Sequence, residues 1–230
     1  MKSLIGIVVL MILQTNSFAQ SIQGAWKRNL DTAIQYLTIV DNYFSIATFH
    51  VSEKRFIRSK GGTAVFLNGK MNGKIEFNTV DKTEVGKDYS YGIKATNNSL
   101  DLDAENISLP WQKVDDAASG LSGNWRIIGR EQDGKMIPMK LGARKTIKIL
   151  SATHFQWIAI NTETGEFFGT GGGNYSFKDG KYTENIEFFS RDPNRVGASL
   201  SFNAELKDGD WHHSGLSSKG DKIYEVWSRK

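Results

Sequence analysis

An ungapped internal repeat constrains this chain more than any other feature. Residues 69–86, "GKMNGKIEFNTVDKTEVG", align with 180–197, "GKYTENIEFFSRDPNRVG", at a constant offset of 111. Phe44, Phe56 and Phe66 pair with Phe155, Phe167 and Phe177 at the same offset. Over 44–91 against 155–202 there are 14 identities in 48 positions, so the chain is a duplication and both halves must adopt one fold. "GAW" (24–26) and "GNW" (123–125) open the two units, and "WQK" (111–113) and "WSR" (227–229) close them. The small, polar stretch "DDAASGLS" (115–122) reads as a linker, which places the units at 20–114 and 123–230.

Within each unit the local signals are β. Short runs rich in Ile, Val, Thr, Phe, Tyr and Trp recur about every ten residues. "LTIVDNYFSIATF" and "KTIKILSATHFQWIAI" alternate apolar and polar residues imperfectly. Asn68-Gly69, Asp179-Gly180 and Asp208-Gly209 suit two-residue hairpins, where both turn residues take positive φ. No segment keeps a helical period over three turns. The expected class is all-β, each unit a small antiparallel barrel or sandwich, and closure into a barrel would remove exposed strand edges.

The first residues concern destination rather than fold. Lys2, an apolar run at 4–13 and Ser17-Phe18-Ala19 describe a signal peptide at 1–19, leaving a chain that begins at Gln20 and is exported, periplasmic or secreted. The run is about half the length of a membrane-spanning helix, and no later stretch is longer. The chain has no cysteine, which excludes disulfides, thiolate metal sites and cysteine nucleophiles. A net charge of only +4, without a basic stripe, argues against nucleic-acid binding.

A Gly-x-Trp on the first strand and a cation beside the last resemble the lipocalin and wider calycin pattern. The second unit, "GGGNYSFKDGKYTENIEF" above all, is also similar to small lipocalin-like domains of secreted bacterial proteins. The resemblance implies two tandem up-and-down barrels, each closed at one end by tryptophan under a basic side chain: Lys113 over Trp26 and Arg229 over Trp125. The usual lipocalin disulfide and C-terminal helix are missing.

"GTGGG" (169–173) invites a phosphate-loop reading, but no helix and no Gly-Lys-Ser/Thr follow it. Gly172 and Gly173 match Gly61 and Gly62, which fits a bend or bulge in both barrel walls. The two units diverge elsewhere. Trp157, Tyr175, Tyr182 and Glu184 stand where the first unit has Ile46, Ala64, Met71 and Gly73. Only the second unit carries Trp211-His212-His213 and the longer connection 130–145, expected as a lid over the mouth. Phe155, Trp157, Tyr175, Tyr182, Glu184 and His213 are therefore the candidate ligand-binding residues, for a small, mostly apolar molecule. No catalytic residue, metal ligand or cofactor motif is assigned. Two alternatives stay open: an acid–base or metal site pairing His212 or His213 with Glu184 or Glu187, and an interaction or inhibitor module with filled barrels and a protein partner.

Overall fold

The computed structural model describes residues 22–105, 107, 109–217 and 219–229; the expected signal peptide lies outside them. The first barrel comprises β1 (Gly24–Asn29), β2 (Ile34–Val40), β3 (Tyr43–His50), β4 (Arg55–Thr63), β5 (Val65–Leu67), β6 (Lys70–Asn78), β7 (Asp88–Ala95), β8 (Ser99–Leu102) and β9 (Trp111–Asp115). The second comprises β10 (Gly123–Gln132), β11 (Lys135–Pro138), β12 (Arg144–Leu150), β13 (His154–Asn161), β14 (Glu166–Lys178), β15 (Lys181–Phe189), β16 (Ser199–Lys207), β17 (Asp210–Leu216) and β18 (Lys222–Arg229). Neighbours pair antiparallel in chain order, and β1–β9 and β10–β18 close the rings. β4 and β5 together take the place of the long β14, and β11 is an added hairpin strand. Both units are thus closed, eight-stranded, up-and-down barrels, the all-β class expected from the sequence.

Local chemistry sets the corners. Asn68-Gly69, Asp179-Gly180 and Asp208-Gly209 all have positive φ at both positions, as does Asp133-Gly134 at the β10–β11 tip. The repeated glycines sit at bulges between Gly61 and Gly62 and between Gly172 and Gly173. A Cβ on Gly172 would lie 2.5 Å from the Phe155 carbonyl oxygen, and one on Gly173 2.1 Å from that of Asn185. Only glycine admits this approach of two backbones. The 130–145 connection is a hairpin rather than a lid: β11 pairs with residues 129–132 and prolongs the wall.

The two barrels share a wall. The outward faces of β2, β3, β4 and β6 pack on those of β12, β13, β14 and β15, and repeat partners meet across the contact. Ser45 Oγ donates to Gln156 Oε1 at 2.7 Å, and the Phe56 and Phe167 rings stack at 6.4 Å. Gln156 Nε2 also donates to Ser59 and Thr170, themselves repeat partners. Phe188 stacks on Phe49 at 4.8 Å, while their counterparts Phe77 and Ile160 share another apolar cluster. This is the self-complementary pattern of a two-fold interface, built within one chain. Glu76 and Glu187, matched in the repeat, both belong to this region. Glu76 accepts Lys145 Nζ at 2.6 Å, and Glu187 accepts Asn174 Nδ2 at 2.8 Å.

Asp115 fastens the junction, accepting from Ala25 N in the first barrel and from Ser151 Oγ and Thr153 N in the second. Burial alone would raise its carboxyl, but the adjacent His154 ring and hydrogen bonds from Thr153, Ala25 and Ser151 hold it below the usual range.

Phe188→Ala removes a ring buried between the barrels and is expected to cost about 3–5 kcal/mol. Val80→Ala, at a side chain 71% exposed, should stay within about 0.5 kcal/mol. Urea unfolding followed by tryptophan fluorescence measures both.

Candidate functional site

One end of each barrel is sealed in the same way. Trp26 and Trp125 are buried, and each ring nitrogen donates to the carbonyl four residues earlier, Ile22 at 2.9 Å and Leu121 at 2.8 Å. Lys113 Nζ lies 5.1 Å from the Trp26 ring centroid, and the Arg229 guanidinium 4.6 Å from that of Trp125. Arg229 also donates to the carbonyls of Gly120 and Ser122.

Above that seal the second barrel is filled with aromatic rings. Tyr182 is fully buried and contacts Phe155, Tyr175, Trp211 and His213, with ring centroids 5.0–6.3 Å apart. Tyr175 donates to the Ser151 carbonyl at 2.6 Å and meets Ser119 Oγ at 2.7 Å, which pins it as part of the packing. Trp157 is half-buried, with its ring 5.3 Å from Phe189. The six sequence-derived candidates therefore line one interior, with Phe155, Tyr175 and Tyr182 in its floor.

Two charged residues that the sequence reading passed over complete the site. Lys148 on β12 and Glu225 on β18 point inward beside Glu184 and His213. Lys148 Nζ donates to Glu184 Oε1 at 2.7 Å, and both side chains are almost wholly buried. The same ammonium lies 5.2–5.3 Å from the ring centroids of Tyr182, Trp211 and Trp227, a stabilising cation–π enclosure. Glu225 Oε1 accepts from Arg130 at 2.7 Å, and its Oε2 lies 3.6 Å from His213 Nδ1, too long for a hydrogen bond. Neither His213 ring nitrogen finds a partner among the described residues.

Burial, then the Lys148 charge, pushes the His213 imidazole below its ordinary value, so it is neutral at pH 7. Burial would raise the Glu225 carboxyl, but the facing His213 ring and the Lys148 and Arg130 charges hold it at about 2. Adjacent strand positions oppose each other, and His212 faces outward, with its Nδ1 2.7 Å from Tyr224 Oη. Glu184 is committed to Lys148 and Glu187 to Asn174, so neither is paired with a histidine. No group of three or more His, Asp or Glu among the described residues is placed to hold a metal.

The strand registers of the two barrels keep the offset of 111. Lys148 pairs with Trp157 as Leu37 pairs with Ile46, and His213 with Ala204 as Leu102 with Ile93. The positions of Lys148, Glu184 and His213 are thus Leu37, Gly73 and Leu102 in the first barrel. Residues 120–230, the second barrel, match a family model described as a domain of unknown function (DUF4488). No curated protein matches the chain.

Lys148→Leu should cost about 3–5 kcal/mol by stranding Glu184, whereas Lys148→Leu with Glu184→Leu should recover most of it; thermal melts of both variants compare them. Below pH 6.5 an unfolded chain protonates His213 while the folded barrel resists. The unfolded state then binds more protons, and stability falls as pH drops. Glu225 adds to the loss from about pH 5 down toward 2. His213→Leu should flatten the Tm-against-pH curve just below about pH 7, and should also shrink the lower limb, because Glu225 then keeps only Lys148 and Arg130 to hold it down.

Proposed function

We propose that this is an exported binding protein whose second barrel takes a small, mostly apolar molecule through its open end. The carrying observation is the buried set Lys148, Glu184, His213 and Glu225, kept where the sister barrel folds with apolar residues or glycine. Burying charge costs several kcal/mol per ion before pairing offsets it. The fold does not require a charged or polar side chain at Lys148, Glu184 or His213, where the first barrel has Leu37, Gly73 and Leu102, so the cost is retained there for something other than folding.

Trp157, Phe189, Leu200 and Ile223 are only partly buried and pack onto the aromatic core. They would grip the apolar body of the ligand. Beneath them the neutral imidazole of His213 offers one donor and one acceptor, suited to a hydroxyl or carbonyl group rather than a full charge. Phe155, Tyr175, Tyr182 and the Lys148–Glu184 pair would form a rigid floor that fixes how deep the ligand reaches. Export rests on the sequence of residues 1–19.

Two probes test the reading: dodecanol, and the amphipathic dye 8-anilinonaphthalene-1-sulfonate. Binding should change tryptophan fluorescence and appear as a retained mass by native mass spectrometry. His213→Leu should weaken dodecanol binding about tenfold, the worth of one hydrogen bond. Unaltered fluorescence with both probes, and no retained mass, would count decisively against it. For export, the mass of the protein recovered from the cell envelope or medium should correspond to a chain starting at Gln20.

A further inference from the structure

The mouth of the first barrel carries a different set of side chains. Trp157, Ala159, Gly169, Gly171 and Phe189 of the second barrel correspond to Ile46, Thr48, Arg58, Lys60 and Asn78 in the first. Counted from the closing tryptophans, Arg28 stands where the second barrel has Ile127. One mouth is aromatic and the other is charged.

A rigid framework supports the charged mouth. Arg28, almost wholly buried, donates to Glu105 Oε2 at 2.6 Å and to Gln35 Oε1, while its guanidinium lies 4.2 Å from the Trp111 ring centroid. Gln35 Nε2 donates to Thr48 Oγ1 at 2.8 Å and to Glu105 Oε2 at 2.9 Å. Next to this framework is a cavity of about 250 Å³, lined by Arg58, Lys60, Asn78, Asp81, Glu84 and Glu105 among others. That is room for about eight waters. The pairs facing it are looser than those behind it: Arg58 to Glu105 at 3.3 Å and Lys60 to Glu84 at 3.2 Å. Arg58 Nε is buried without a hydrogen-bond partner among the described residues.

We propose that this cavity is a binding site for small zwitterions of the α-amino-acid class. The ligand carboxylate meets the Arg58 guanidinium and the Lys60 ammonium, and the ligand ammonium meets Glu84 and Glu105. Both contacts are charge-assisted hydrogen bonds, the stronger kind. A simple anion would face the carboxylates of Glu84 and Glu105, and a simple cation would face Arg58 and Lys60. A dipolar molecule engages both sets at once, each of its charges replacing a partner in one of the loose pairs. The cavity is too small for a drug-sized ligand, for which about 300 Å³ is the lower bound.

Isothermal titration of the full chain with glycine, glutamine and leucine tests the site, with acetate and methylamine as single-charge controls. At least one amino acid should bind with Kd below about 1 mM, and both controls at least tenfold more weakly. Arg58→Leu and Glu84→Gln, at partly exposed side chains, should each weaken binding tenfold or more with Tm unchanged. Trp157→Ala, in the other barrel, should leave it as it was, which separates this site from the proposed second-barrel ligand. The proposal is overturned if no amino acid saturates below about 10 mM. It is also overturned if the controls bind equally well, or if Arg58→Leu binds like the native protein.

Discussion

The wall shared by the two barrels is the constraint on which the rest of the architecture depends. Each barrel must bury its interior, as any barrel does, and here also one outer face. β3 is buried at all eight positions, with Phe44, Ile46 and Thr48 turned inward and Tyr43, Ser45, Ala47 and Phe49 turned toward the other unit. The polar centre of the wall, Ser45–Gln156–Ser59–Thr170, is fully hydrogen-bonded, and the apolar clusters lie around it. Apolar area alone would permit the two sheets to slide. A buried amide with defined partners fixes one register, because any shift would leave its donors unsatisfied.

This double burial explains what the sequence made legible and what it hid. Strands covered on both faces lose the alternation of a half-exposed strand. "LTIVDNYFSIATF" and "KTIKILSATHFQWIAI" alternate imperfectly because they are the repeat-related segments that form the shared wall. The departure from period two was itself the signal of an interface. By contrast, the hairpin pairs and the duplicated glycines were readable directly, since each answers a local backbone demand that few residues meet. The inserted segment at 130–145 was legible as an insertion, but its Asp133-Gly134 turn makes it a hairpin rather than a lid.

The candidate site was half legible. Trp157, Tyr175, Tyr182, Glu184 and His213 stood out because the first unit lacks them. Lys148 and Glu225 did not, because a lysine or glutamate in a strand ordinarily faces water. Their inward orientation follows only from register: Lys148 occupies the position of Leu37, and Glu225 lies two residues before the inward Trp227. The first-barrel network was hidden for the same reason. It also needs Glu105, which lies 77 residues from Arg28 and reaches it only after the chain has closed the ring.

Duplication turns the protein into its own comparison. The features common to both units are those the fold requires: closing tryptophans under a cation, paired glycines at the bulges and the two-fold wall. Those that differ lie both in the wall and inside the barrels. In the wall, Ser45 faces Gln156, and Phe49 and Ile160 are repeat partners, so the contact keeps its two-fold arrangement while its side chains have diverged. Inside, the charges have moved: one interior carries a buried charge set among aromatic rings, and the other an apolar core beneath charges. Strand register and the hairpin corners are common to both units, so side chains could change on either face without altering the fold.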